Sequence, residues 1–372
     1  MSGSVLIYSV HDNEPEHERA CHIELGRRLS LILGRTFGGY HNAVPISGQT
    51  CPDNPAPYLV ATDTIIGKEH ARGLGIQDES GLFGGVAPYA FMPTKAITHP
   101  LYSRDARAPE GWSEDFGRYV EQVVLDGYTA FSLNDALHAG KELLRHGSVR
   151  IKPVNGKAGR GQTVVHDNET LELALLKVDP DEMAIHGLVL EENLQAVKTY
   201  SVGQVRVANL IISYVGTQRL TMDSHGDAVY GGSDLLVTRG DYPALFRLPL
   251  APQMMLAVAQ AQLYDRAATL AYPDFFASRR NYDVACGTDA RGRTRSGVLE
   301  QSWRPGGASA AEVVALEALH ARPDLQTVRA ATFEMFGHTE AAPSCAIELF
   351  NGQDREVGHI RKYVMLKRYG DA

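Results

Sequence analysis

With 372 residues, 44% of them hydrophobic and 22% charged, the chain has the composition of a folded globular protein of two or three domains, which excludes disorder as its main character. Its net charge of −8, from 36 Lys and Arg against 44 Asp and Glu, offers no general attraction to phosphate backbones or anionic lipids, so neither nucleic acid nor a membrane is an expected partner. The cysteines Cys21, Cys51, Cys286 and Cys345 form no metal or disulfide spacing, and no run reaches the ~18 apolar residues of a membrane span, so a cytoplasmic protein with reduced thiols is expected.

The apolar run at residues 5–10 predicts a buried strand, and Glu16–Leu33 a helix, because Ala20, Ile23, Leu25, Leu29, Ile32 and Leu33 recur at three-to-four spacing. Residues 58–62 predict a second strand and 64–72 a second helix, an alternation that describes a small open α/β domain with a parallel sheet. The intervening turn, His11-Asp12-Asn13-Glu14-Pro15, lacks the glycines of a dinucleotide fingerprint. His11 and Asp12 end the first strand, where ligands of open α/β sheets bind, and are candidate substrate contacts.

Residues 133–146 predict a helix, and from 149 to 248 the chain is mostly strand-like segments joined by glycine turns. Within that stretch, Tyr230-Gly231-Gly232-Ser233-Asp234 predicts a tight turn or a closing loop, with Arg206 and Arg219 as anion contacts on nearby strands. Residues 252–272 predict a long helix, 283–302 a hairpin, 308–320 a helix and 360–367 a final strand. Trp112 and Trp303 are expected to be packing residues.

Two segments carry chemistry. In the first, a strand ending in Lys152-Pro153 runs into a loop with Gly156, Lys157, Gly159, Arg160 and Gly161 before a second β-branched strand. Such glycines let backbone N–H groups turn toward an anion, and the lysines and arginine add positive charge, which suits a polyphosphate. No Gly-Lys-Ser/Thr opens a helix, so this is no Walker loop, and an ordinary surface hairpin has the same spelling. In the second segment, Asp283 and Glu300 lie on the two strands of the hairpin, with Ser302 on the face of Glu300. If Asp283 pairs across from that face, two carboxylates converge and call for a cation, and hard oxygen ligands facing substrate phosphates suit Mg²⁺; the alternative is a solvated hairpin with incidental acids. Asp289 reads as a turn residue, and Ser309 as the cap of the following helix.

In this order the residues resemble the ATP-grasp superfamily, from about Lys95 to Arg304, and bacterial members of unknown function in particular. The resemblance implies an α/β and α+β ATP-grasp fold behind an N-terminal open α/β domain. Its expected units are an N-terminal domain at 1–92, a subdomain with the phosphate flap at 93–187, and a subdomain with the adenine hinge and metal hairpin at 188–372. Lys152 and Lys95 then correspond to phosphate-contacting lysines, with Gly156, Gly159, Arg160 and Gly161 in the flap. In Leu190-Glu191-Glu192-Asn193-Leu194, Glu191 corresponds to the acid facing the adenine amine and Leu194 to the residue whose backbone meets the ring, with Glu192 between them. Asp283, Glu300 and Ser302 stand at the metal ligands, although Ser302 replaces the usual Asn, and Arg304 stands at a catalytic arginine. Lys198 and Thr199 are the nearest candidates for the ribose.

The implied cofactors are ATP and Mg²⁺, and the implied activity is a carboxylate-amine ligase that forms an acyl-phosphate. Small-molecule carboxylate and amine substrates are its expected partners, and homodimerisation stays open. The alternative is a catalytically weak or inactive ATP-binding regulatory protein.

Overall fold

The computed structural model describes residues 3–9, 14–41, 56–154, 161–224, 226–337 and 341–368. Its first part runs β1 (Ser4–Tyr8), α1 (Glu16–Leu33), β2 (Thr36–His41), β3 (Tyr58–Ala61), β4 (Ile65–Ile66), α2 (Lys68–Gly73), β5 (Leu82–Phe83) and β6 (Gly85–Ala87). The order β2-β1-β3-β5 is parallel throughout, as the alternation of strand and helix requires. α1 has the expected bounds and ends at Gly34, whose φ of 62° closes the last turn. Residues 64–72 differ from expectation, because Ile65–Ile66 pairs in parallel with β6 and only the residues after Gly67 turn helical.

The chain continues through α3 (Glu114–Val120), β7 (Gly127–Ala130), α4 (Leu133–Leu144), β8 (Val149–Pro153), β9 (Thr163–Val165), α5 (Asn168–Leu175), α6 (Pro180–His186) and β10 (Leu188–Glu192). The antiparallel sheet β7-β10-β8-β9 encloses its own core, in which Val149, Ile151 and Leu190 pack on Ala136, Leu143 and Leu171 of α4 and α5. β8 and β9 are the two strands expected around the glycine loop.

The remainder is β11 (Gln195–Val207), β12 (Leu210–Met222), β13 (Ala228–Arg239), α7 (Tyr242–Leu245), α8 (Pro252–Ala271), β14 (Phe276–Ala277), β15 (Arg279–Thr288), β16 (Thr294–Ser302), α9 (Ser309–Ala321), β17 (Thr327–Phe336), β18 (Ile347–Asp354) and β19 (Gly358–Arg368). Eight of these strands form one antiparallel sheet in the order β16-β15-β11-β12-β13-β17-β19-β18. Residues 230–234, expected as a turn or loop, lie inside β13. A register shift opposite Arg219 and Leu220 leaves Gly231 as the extra residue of a bulge.

Alternation along these strands divides the sheet's two faces. Tyr200, Val202, Tyr282 and Val284 pack with Tyr264 of α8, whereas Val205, Val207, Tyr214 and Leu235 share a core with α9 and the N-terminal sheet. Asp283 therefore projects on the α9 side. Trp303 is fully buried and Trp112 packs against the same core, as expected of packing residues.

Candidate nucleotide and metal site

A short helical turn, Lys95–Thr98, capped by the Thr94 hydroxyl accepting from the Ala96 N–H, joins the two main sheets. Lys95 Nζ lies 3.2 Å from Glu300 Oε2 on the eight-stranded sheet. Just past the turn, His99 Nε2 lies 3.2 Å from Glu191 Oε2 on the four-stranded one. Five consecutive residues thus link the hinge acid and the hairpin acid.

On β10, Glu191 sits opposite Gly127 of β7 and Arg150 of β8, while Lys152 sits opposite Val189, so Lys152 and Glu191 are diagonal neighbours on one face. Lys152 Nζ forms an ion pair with Glu191 Oε1. Both side chains are almost fully buried, and the His99 ring is completely so. Burial alone would raise the Glu191 pKa, but the Lys152 charge and the His99 contact bring it down to about 2. Glu192 is engaged elsewhere: its Oε1 accepts from the Asp126 N–H at 3.2 Å and pairs with Arg295 at 2.7 Å, and its own N–H donates to the Asp126 carbonyl at 2.8 Å. Leu194 is buried beside Leu125, Ala285 and Leu299, an apolar bed at the start of β11. Arg150, which the sequence did not single out, binds Asn193 Oδ1 at 2.7 Å and Gln162 Oε1 at 3.0 Å, tying hinge to flap.

In the hairpin, Asp283 and Glu300 are direct cross-strand partners, and the register shift next to them leaves Leu299 as a bulge. Asp283 Oδ1 accepts from Ser201 Oγ at 3.1 Å and Asn281 Nδ2 at 3.0 Å, and Gln218 Nε2 supports Ser201 at 3.0 Å. Burial, then the facing Glu300 charge, pushes the Asp283 carboxyl up to about 6. Two facing carboxylates, of which among the described residues only Glu300 has a cation beside it in Lys95, fit a divalent cation. Among the described residues no three His, Cys, Asp or Glu side chains gather as a metal cage, so a cation here would complete its shell with substrate oxygens and water, as Mg²⁺ does.

The hydroxyl of Ser302, the third expected ligand, is engaged elsewhere. It accepts from Arg279 Nη1 at 3.1 Å and lies 3.3 Å from the Arg304 carbonyl. Arg279 is itself buried, donating to Glu312 of α9 through Nε at 3.0 Å and Nη2 at 2.7 Å, so a dication on Ser302 would stand beside a fixed guanidinium. The same arginine donates to the Arg304 carbonyl at 2.6 Å and so anchors the backbone that carries Arg304. Arg304 Nε is 3.6 Å from Asp63, just past β3, and reaches toward the end of the N-terminal sheet where His11 and Asp12 were expected to act.

Other expected residues have structural settings. Asp289 accepts from the Arg291 and Arg293 N–H groups within its turn. Arg206 faces Glu79, and Arg219 pairs with Asp234 over the Phe333 ring. Lys198 lies over the Tyr200 ring, 5.2 Å from its centroid. Ala308, not Ser309, caps α9, while Ser309 Oγ accepts from the Gly306 N–H at 3.0 Å. Gly161, with φ of 76°, starts the return into β9. His11, Asp12, Gly156, Lys157, Gly159 and Arg160 lie outside the described residues.

The family model described as "Protein of unknown function (DUF3182)" matches residues 5–364. The chain belongs to this family. A comparison with curated proteins found no match. Among solved structures, this DUF3182 chain is similar to phosphoribosylamine–glycine ligase of Thermotoga maritima, at 13% identity and a TM-score of 0.53 over 98% of this chain and 92% of that one. It is likewise similar to biotin carboxylase of Campylobacter jejuni, solved as a beta-gamma-ATP complex, at 12% identity and a TM-score of 0.51 over 99% of this chain and 88% of that one. The DUF3182 chain has the ATP-grasp fold, mixed α/β with several sheets, that the flap, hinge and hairpin implied. No helix among the described residues is long and apolar enough to cross a membrane.

Proposed function

We propose that this protein is an ATP- and Mg²⁺-dependent ligase that joins a carboxylate to an amine through an acyl-phosphate. The observation that carries this reading is the Lys95–Thr98 turn with His99, which brings a lysine to the cation-seeking Asp283–Glu300 pair and a histidine to the Glu191–Lys152 pair. In it, Lys152 and Lys95 hold the nucleotide phosphates, the flap with Gly161 covers them, and Leu194 supports the base beside the Glu192 backbone. Asp283 and Glu300 hold the cation, which when bound neutralises charge on the phosphate oxygens. Ser302 acts through Arg279 to place Arg304.

A substrate carboxylate oxygen bonds to the γ-phosphorus as the bond to the β–γ bridging oxygen breaks, releasing ADP. Arg304 stabilises the charge of the transferring group or holds the carboxylate. The amine then attacks the acyl carbon, phosphate leaves, and the amine gives up a proton. The engaged Ser302 hydroxyl favours the second reading, an ATP-binding regulatory protein with little or no turnover. A screen of carboxylate and amine pairs for ADP release, with Glu300→Ala as control, separates the two: amine-dependent ADP formation lost in the variant supports the ligase. Nucleotide binding without ADP formation from any pair rejects it.

A further inference from the structure

The function proposed above gives His99 no chemical task, although its ring is completely buried against Glu191. Its Nε2 is 3.2 Å from Glu191 Oε2, while its Nδ1 has no hydrogen-bond partner among the described residues, so the ring's proton belongs on Nε2, facing the carboxylate. Room for the ring is made by the strand below it. A Cβ on Gly127, the residue opposite Glu191 in β7, would come within 2.9 Å of the imidazole and 2.8 Å of the Leu190 carbonyl oxygen. Glycine at 127, imidazole at 99 and carboxylate at 191 thus form one fitted unit drawn from three elements.

Each oxygen of Glu191 is occupied, Oε1 by the Lys152 ammonium and Oε2 by His99. A carboxylate held at both oxygens keeps one orientation, and with it the place of its cation. We infer that His99 is a positioning residue that pins Glu191 so that Glu191 holds the Lys152 ammonium at the nucleotide phosphates, leaving recognition of the base to the hinge backbone and the Leu194 bed. This rests on the nucleotide site proposed above and changes the expected task of Glu191, from facing the adenine amine to anchoring a lysine.

A role directed at phosphate and a role directed at the base separate on ligands with and without phosphate. The full-length chain is loaded with a fluorescent ATP analogue, which is then displaced by ADP or by adenosine, for the wild type, His99→Phe and His99→Gln. Phenylalanine fills the space without an N–H, whereas glutamine can donate to Glu191. The expected result is that His99→Phe binds ADP about tenfold more weakly, the scale of one lost hydrogen bond to a charged group, and adenosine within about twofold of wild type. His99→Gln restores ADP binding. Unchanged ADP affinity in His99→Phe, a parallel loss of adenosine, or no rescue by glutamine would overturn the inference while leaving the nucleotide site standing. A wild-type chain that fails to bind the fluorescent analogue overturns the site itself.

Discussion

At the residue scale, the candidate site is organised as opposed charges, Lys95 with Glu300 and Lys152 with Glu191. Lys95 faces Glu300 where a cation would sit, and its ammonium competes with that cation. Lys95→Met should therefore tighten Mn²⁺ binding measured by electron paramagnetic resonance without nucleotide, and weaken binding of an ATP analogue. Two changes of the same sign would contradict this arrangement. Asp283 adds a pH dependence: its carboxyl is pushed from 3.8 up to about 6, so between those values the unfolded chain is ionised while the folded chain keeps its proton. Stability contributed at this position consequently falls as pH rises from about 4 to 6, and Asp283→Asn should flatten that slope in urea unfolding. Mn²⁺ affinity in the presence of an ATP analogue should rise across pH 6 and level off above it in the wild type, because only the ionised carboxylate binds the metal. Lys152, Asp283 and Glu300 stand out as candidates because each sits in a local spelling, whereas Glu191 entered only through the resemblance of its segment to an adenine hinge. His99 and Glu191 are 92 positions apart and Arg279 and Glu312 are 33 apart, and no local pattern joins them. The two-residue period of β15, which puts Arg279, Asn281 and Asp283 on one face, was the available signal for part of that set.

At the scale of elements, the Arg279–Glu312 pair fastens α9 to β15 and, through the Ser302 and Arg304 carbonyls, fixes where the hairpin leaves the sheet. Glu312→Leu leaves a buried guanidinium unpaired and should lower unfolding free energy by about 3–5 kcal/mol in urea titration, whereas Arg279→Met with Glu312→Leu should recover much of it. A double variant no more stable than the single would show that the pair is not the source of the loss. α1 was readable from the spacing of its apolar residues and α8 from its alanine-rich composition. α5 and α6 were lost among glycine-joined strands, although Asp167 with Thr170 spells a capping box and Asp179-Pro180 a helix start. β2 was missed because Gly38 and Gly39 interrupt it, and the strand holds through parallel pairing with β1. Tyr230 to Asp234 read as a turn for the same reason, since glycine pairs spell turns and bulges alike.

At the scale of the whole molecule, the resemblance ended near Arg304, yet the sheet carrying Asp283 continues through β17, β19 and β18, and the N-terminal sheet shares a core with it through α9. That extension was invisible because pairing between distant strands leaves no mark on local spacing, and of these three strands only β19 was expected. The assembly sets Arg304 between the hairpin and Asp63 and leaves Lys95 and Lys152 anchored to acids of two different sheets. The most direct measurement of the central claim is isothermal titration of the full chain with a non-hydrolysable ATP analogue, with and without Mg²⁺, for the wild type and Lys152→Ala. Tight, magnesium-dependent binding by the wild type that is lost in Lys152→Ala is the predicted result. Absence of binding under both conditions, or binding indifferent to Mg²⁺ and to Lys152, would contradict the account.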